Sequence, residues 1–384
     1  MRGVLMFNGS ATSLKRNRRL NGLSGAVVGI SVCLIACCSV AAQSNWAVAA
    51  DAHGVLYFCD IQRDYVWRYG PEGRLQMLFD HNHCHSLTLG YDGNVYGENV
   101  GGESRGGGLV GVWRLTPEGE RTFLLPLTTK PDPAVWLVRD AVGNGYAWDG
   151  NPEVKEVSRI LKHTPEGETH TLAGASWGFA DGPGPTARFG QIAAMTARPD
   201  GTLYVVDEGN LREISIDGTV STVTRGIASN VAGGLPHLGG LYNHHMGAAV
   251  DSRGRVYVVD YGRRQIIRWD SSAGVHTMYV SGGIANWLSQ GSWGLRPTGV
   301  AIVGDMVYVM EDWALPRFAA NLIGNPQIRQ ISANGKSLSV LAVSSTTDRI
   351  VLVVGLAALL TAVLVQRKTR SIRPTRSDGS TTQN

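Results

Sequence analysis

The sequence predicts an all-β fold, a six-bladed β-propeller of four-stranded blades, and three observations carry that expectation. First, a short apolar run entered from a tight turn, then a tyrosine, then an acidic or amide residue, recurs six times. The copies are Gly54-Val-Leu-Tyr57-Phe-Cys-Asp60, Gly93-Asn-Val-Tyr96-Gly-Glu98-Asn99, Gly143-Asn-Gly-Tyr146-Ala-Trp-Asp149, Gly201-Thr-Leu-Tyr204-Val-Val-Asp207, Gly254-Arg-Val-Tyr257-Val-Val-Asp260 and Asp305-Met-Val-Tyr308-Val-Met-Glu311. Their spacing of roughly 40 to 58 residues is that of a radial array. Second, each copy is followed by another β-rich run, a tight turn and a further run, which is hairpin chemistry. Third, 49 glycines beside 43% apolar and 17% charged residues suit many turns on an ordinary globular core.

Taken in order, each unit reads as four strands, A to D. Trp46, His85, Val135, Ala193, Met246 and Thr298 mark the starts of the innermost strands. The tyrosine units form the second strands. The turns between the third and fourth are Pro71-Glu-Gly73, Pro117-Glu-Gly119, Pro165-Glu-Gly167, Asp217-Gly218, Ser271-Ser-Ala-Gly274 and Asn334-Gly335. The last D strand is expected over Ser337 to Ser345. Six complete blades then close by contact between the sixth and the first, which removes the exposed edges of an open sheet. The tyrosines, placed alike in every copy, are expected to pack between blades.

Phe179-Ala-Asp-Gly182, Ala187-Arg-Phe189, Asp200-Gly-Thr-Leu-Tyr-Val-Val-Asp207 and Leu211-Arg-Glu-Ile together resemble the NHL-repeat family. The resemblance covers roughly residues 45 to 345, is clearest in blade four, and weakens in blades three and six. It implies the six-bladed fold. It leaves activity open, since relatives include lyases, gluconolactonase-like hydrolases and pure binding modules.

The ends differ from the body. Arg2, Lys15, Arg16, Arg18 and Arg19 precede an almost uncharged stretch from Gly25 to Ala42 that closes on Val40-Ala41-Ala42, the pattern of a secretory signal. An uncleaved membrane anchor over residues 1–42 is the alternative, and Leu34-Ile35-Ala36-Cys37 resembles a lipobox. Each of these exports the body. The apolar stretch 350–366 is expected to be a single transmembrane helix with a basic cytoplasmic tail, 367–384, by the positive-inside rule; a cleaved sorting tag is the alternative. Both tails are basic, so of the +4 net charge the body retains about −5, which argues against nucleic acid as a partner. Cys59 and Cys84 are the cysteines of the body, and their pairing into a disulfide between blades one and two is a candidate in an exported protein.

Function is expected on the face that carries the B–C loops and the D-to-A crossovers. The long segments Glu98 to Gly108, Ala173 to Phe189, Arg225 to His244, Ser281 to Pro297 and Glu311 to Asn325 fall there, with Trp177, Trp287, Trp293 and Trp313. The polar ends of the B strands, Asp60, Glu98, Asn99, Asp149, Asp207, Asp260, Glu311 and Asp312, collect on the same face. An aspartate in such a unit also serves simply to bond the backbone of the next loop. His85 in blade two and His245 in blade five face each other across a ring of six. Imidazoles and carboxylates about an axis suit Zn²⁺ or Ca²⁺, with Glu98 as a third ligand, or general acid and base work by His85 and His245. The resemblance to peptidyl-hydroxyglycine lyases implies zinc held by histidines from three blades, and this chain offers histidine in two, with Gln191 and Thr298 near the equivalent places.

Two readings follow. One is an exported, membrane-tethered binding module that takes a small polar ligand, glycan or peptide partner through Glu98, Asn99, Asp149, Asp207, Asp260, Glu311, Trp177 and Trp293. The other is a metal-dependent, lactonase-like hydrolase or lyase at an axial histidine and carboxylate site. No Gly-x-Ser-x-Gly elbow, phosphate loop, Cys-x-x-Cys pair or His-Glu-x-x-His helix offers a competing chemistry.

Overall fold

The computed structural model describes residues 47–61, 64–80, 84, 87–99, 111–124, 138–151, 154–229, 247–280, 295–313, 327–332 and 337–342. They form six four-stranded antiparallel sheets, each built from four consecutive strands. Blade one holds β1 (Val48–Ala50), β2 (Leu56–Asp60), β3 (Tyr65–Tyr69) and β4 (Leu75–Phe79). Blade two holds β5 (Leu87–Leu89), β6 (Val95–Asn99), β7 (Gly111–Leu115) and β8 (Arg121–Phe123). Blade three holds β9 (Val138–Arg139), β10 (Gly145–Gly150), β11 (Val157–His163) and β12 (Thr169–Ser176). Blade four holds β13 (Ile192–Ala197), β14 (Leu203–Asp207), β15 (Asn210–Ile214) and β16 (Val220–Thr224). Blade five holds β17 (Ala248–Val250), β18 (Val256–Asp260), β19 (Gln265–Asp270) and β20 (Gly274–Val280). Blade six holds β21 (Leu295–Val303), β22 (Met306–Trp313), β23 (Gln327–Ile331) and β24 (Ser337–Ala342).

The first strands of the blades touch in ring order, β1 to β5, β9, β13, β17, β21 and back to β1. Closure is by packing: Val48, Ala50, Leu56 and Phe58 of blade one share a buried cluster with Ala301, Tyr308, Met310 and Ile328 of blade six. The six-bladed expectation is therefore met. The innermost strands begin within three residues of their expected starts.

The B strands β2, β14 and β18 are buried along their whole length, and β10 except at Asp149 and Gly150, because each lies between its own sheet partners and the adjoining blades. The repeated tyrosines sit at those boundaries. The Tyr204 ring lies 5.9 Å from Trp269 of blade five, and the Arg139 guanidinium of blade three stacks 3.9 Å from the Tyr96 ring centroid of blade two. Their hydroxyls reach back to the A–B turns, Tyr96 donating to Asp92 at 2.6 Å and Tyr146 to Asp140 at 2.9 Å.

The A–B turns owe their shape to an aspartate and a glycine. In blade one, Asp51 Oδ1 accepts from the backbone of His53 and Val55 at 2.9 Å, and Gly54 closes the turn at φ 79°. Gly201 shows why glycine is required in blade four. It combines φ 92° with a neighbouring blade that would place the Tyr146 hydroxyl 3.1 Å from a Cβ.

The long segment Ala173 to Phe189 is partly strand and is knitted into the ring: β12 runs on to Ser176, Trp177 pairs with Phe189, Ala180 with Arg188, and Gly182 with Val220. The segments 1–42, 350–366 and 367–384, expected to be the signal or anchor, the transmembrane helix and the cytoplasmic tail, lie outside the described residues. Among the described residues, no helix is long and apolar enough to cross a membrane.

Candidate functional site

The B strands deliver the predicted carboxylates to one end of each blade, and the structure shows what holds them there. Asp207 is fully buried, accepts from Arg212 at 2.7 Å, and takes the backbone N–H of Gly190 at 3.0 Å. Asp260 accepts from the Ser229 hydroxyl, from the Arg263 backbone at 3.0 Å and from its guanidinium at 3.1 Å. Glu311 accepts from Tyr279 at 2.9 Å and from Arg329. Asp149 pairs with Arg159 of the adjacent strand at 2.6 Å. Asp60 and Glu98 are buried at the ends of β2 and β6, and Asn99 closes β6.

These groups are staples between strands and crossovers. Among the expected ligand-binding carboxylates, Asp207, Asp260 and Glu311 have both oxygens engaged by internal donors and Asp149 has one, so a ligand would have to displace those donors. The physical reason lies in register. Strand C pairs antiparallel with strand B, and a long polar residue one or a few positions into strand C or its turn reaches the B-strand acid.

Arg212 is the centre of the best-developed staple. Fully buried, it donates to Asp207, Asp181 and the carbonyls of Arg188 and Ala180, and its guanidinium lies 4.4 and 4.8 Å from the Phe179 and Phe189 ring centroids. Burial pushes the Asp207 carboxyl up to about 7, against the opposing pull of Arg212. Trp177 is half-buried beside this knot, with the Lys155 ammonium 5.9 Å from its ring.

Cys59 and Cys84 form a disulfide with their Cα atoms 5.9 Å apart, joining the end of β2 to the approach to β5, and both are fully buried. His85, His245 and Trp293 lie outside the described residues. Among the described residues, no three His, Cys, Asp or Glu side chains gather closely enough to share a metal ion.

A different feature occupies the axis. A cavity of about 570 Å³ runs along the innermost strands from Ala47 and Gly247 to the A–B turns at Asp51, His53, Tyr91 and Gly93. Its wall is tiered by register. One tier is formed by the residues paired with the repeated tyrosines: Ala49, Thr88, Val138, Thr196, Ala249 and Ala301. The tier nearer the A–B turns is Ala50, Leu89, Arg139, Ala197, Val250 and Ile302, and all twelve residues line the cavity.

Sequence reasoning missed Arg139, though the repeats carry its signal. It is a cation at a position where the other five blades place Ala, Leu, Ala, Val and Ile. It is held in place by stacking on Tyr96 and by donating to the Gly143 carbonyl at 2.9 Å. Burial lowers its pKa from the ordinary arginine value.

A closed ring of six four-stranded blades around a chamber of this size defines a six-bladed β-propeller with an axial cavity. No family model matches the chain, and no curated protein matches it. Among solved structures it is similar to virginiamycin B lyase from Staphylococcus aureus, at 13% identity over 77% of this chain and 84% of that one, with a TM-score of 0.43. It is also similar to regucalcin, a calcium-binding protein from Agrobacterium tumefaciens, at 15% identity over 71% and 83%, with a TM-score of 0.46. A gluconolactonase from Xanthomonas campestris is similar at 16% identity over 72% and 85%, with a TM-score of 0.46. At these values the likeness concerns the path of the chain and carries nothing about its chemistry.

Proposed function

We propose that this chain is an exported, membrane-tethered, NHL-type propeller that takes a small molecule on its axis and acts on it as a metal-dependent hydrolase or lyase. The observation that carries the axial reading is the cavity, whose volume of about 570 Å³ suits a small ligand. The internal engagement of Asp149, Asp207, Asp260 and Glu311 weighs against the carboxylate-lined docking face of a protein-binding module.

For the chemistry, His85 and His245 are the candidates. They stand two and three residues before β5 and β17, which belong to opposite blades and both line the cavity. Glu98, in the same blade as His85, is the candidate carboxylate. With a metal bound, such a set would polarise a carbonyl or activate water. Zn²⁺ suits imidazole ligands, and Ca²⁺ suits an oxygen-rich variant. Export is supported by the buried Cys59–Cys84 disulfide, since such bonds persist in oxidising compartments. The second reading, binding without turnover, rests on the same cavity.

One experiment separates them. Metal content and lactone hydrolysis are measured on the purified full chain and on His85→Ala and His245→Ala. One metal ion per chain, with activity lost in both variants, is the expected result. Absence of stoichiometric metal and of hydrolysis would leave the binding reading.

A further inference from the structure

The axial cavity is two-sided in chemistry. In its two register tiers, blades five, six and one contribute Ala249, Val250, Ala301, Ile302, Ala49 and Ala50, an entirely apolar wall. Blades two, three and four contribute Thr88, Arg139 and Thr196. Within these tiers three consecutive blades therefore carry a polar stripe and the three opposite carry none; outside the tiers the blade-one turn adds Asp51 and His53 to the lining.

Within that stripe Arg139 is preset as a donor. Stacking on Tyr96 and the bond to the Gly143 carbonyl fix its plane. Among the described residues its hydrogen bond is made by Nη1, which leaves the Nη2 end of the guanidinium for a ligand; the Nε also lacks an acceptor there but is buried. A guanidinium held in this way forms a strong bond with any acceptor brought to it.

The charge at the A–B turn end of the cavity limits what that acceptor is. The A–B turns bring Asp51, Asp92, Asp140, Asp200, Asp251 and Asp305 to this end of the ring. Several spend their oxygens on their own turns: Asp140 takes the backbone of Val142 and Asn144, the Asn144 amide and Tyr146, and Asp92 takes Asn94 and Tyr96. Asp200, Asp251 and Asp305 are paired with Arg198, Arg255 and Arg253, so these turns hold three more carboxylates than arginines, and Asp92 and Asp140 both act on Arg139. An anionic ligand meets this acidic rim, and a cationic one meets Arg139.

We infer that the axial cavity selects an uncharged, amphipathic small molecule, with its apolar side on blades five, six and one and a neutral hydrogen-bond acceptor on Arg139, entering from the short-turn face. This rests on the axial reading above and adds ligand class and entrance to it.

The test uses the full chain in lipid nanodiscs, empty discs subtracted, with three fluorescent probes of one shape: 2-naphthamide, 2-naphthoate and 2-methylnaphthalene. On the unaltered chain, 2-naphthamide is expected to bind about tenfold more tightly than either of the others, the worth of a hydrogen bond to a charged donor. Arg139→Met is expected to bring 2-naphthamide down to the level of 2-methylnaphthalene and to leave the latter unchanged. Tightest binding by 2-naphthoate, or equal binding of amide and hydrocarbon, overturns the inference and leaves the axial site standing. Binding by none of the three overturns both. The probe ranking on the unaltered chain decides even if the variant fails to fold.

Discussion

Arg212 and Asp207 form an ion pair 2.7 Å long with both side chains fully buried, and the same guanidinium holds three further acceptors on the crossover from blade three to blade four. The long crossover from blade three to blade four is thereby fastened to the ring.

Arg212→Met is expected to destabilise the propeller by about 3 to 5 kcal/mol, because it leaves the buried Asp207 carboxylate without its charged partner. Denaturant unfolding followed by tryptophan fluorescence measures the change. A loss below 1 kcal/mol would show that water replaces the guanidinium at little cost.

The carboxylates predict two opposite responses to pH. Asp207 holds its proton more tightly folded than unfolded, with a folded value of about 7 against 3.8. Its contribution therefore lowers stability as pH rises from about 4 to about 7. Asp207→Asn should remove that decline. For Asp181, burial acts to raise the carboxyl, but hydrogen bonds from Thr222 and Arg212 outweigh it and hold it below the usual range. That contribution is present above the unfolded value and is lost as pH falls through the folded one. Thermal unfolding from pH 3 to 8 should show Asp181→Asn flattening only the acid limb.

Two glycines separate backbone strain from crowding. Gly119 has φ 97° and open space around it, so Gly119→Ala should cost about 1 to 2 kcal/mol from conformation alone. Gly201→Ala adds the Tyr146 hydroxyl at 3.1 Å and Asp140 Oδ2 at 3.3 Å, and about 3 kcal/mol is expected. Equal losses would mean that the blade three to four boundary yields freely.

The Cys59–Cys84 bond closes a separation of 25 residues. Its removal by Cys59→Ala with Cys84→Ala should cost about 3 kcal/mol through the gain in unfolded-chain freedom and the loss of buried contacts. Peptide mapping without reductant should recover the two cysteines in one linked fragment, and free thiols at both would contradict the structure.

Much of this molecule was legible along the chain. The six tyrosine units and the Gly-bearing turns act over a few residues each, so their strand and hairpin character survives whatever surrounds them. That is why the number of blades, the four strands in each and the position of the tyrosines between blades could all be read in advance. The role of Asp207 was half legible, since a bond to the next loop was foreseen and Gly190 provides it, while Arg212 was not singled out. The signal for Arg139 was equally present, as one cation among five apolar residues at the same place in the repeat.

By itself the sequence determined the repeat and hence the ring, because turn chemistry and strand alternation are local properties. The tertiary structure alone decided the use of the side chains that the repeat delivers. Cross-strand register turned Asp149, Asp207, Asp260 and Glu311 inward onto partners, and closure of the ring gathered Thr88, Arg139 and Thr196 from three blades onto one wall of the axis. The wall joins residues more than 50 positions apart, which only the closed ring brings together, whereas the carboxylates meet partners 3 to 32 positions away through strand pairing and blade contact.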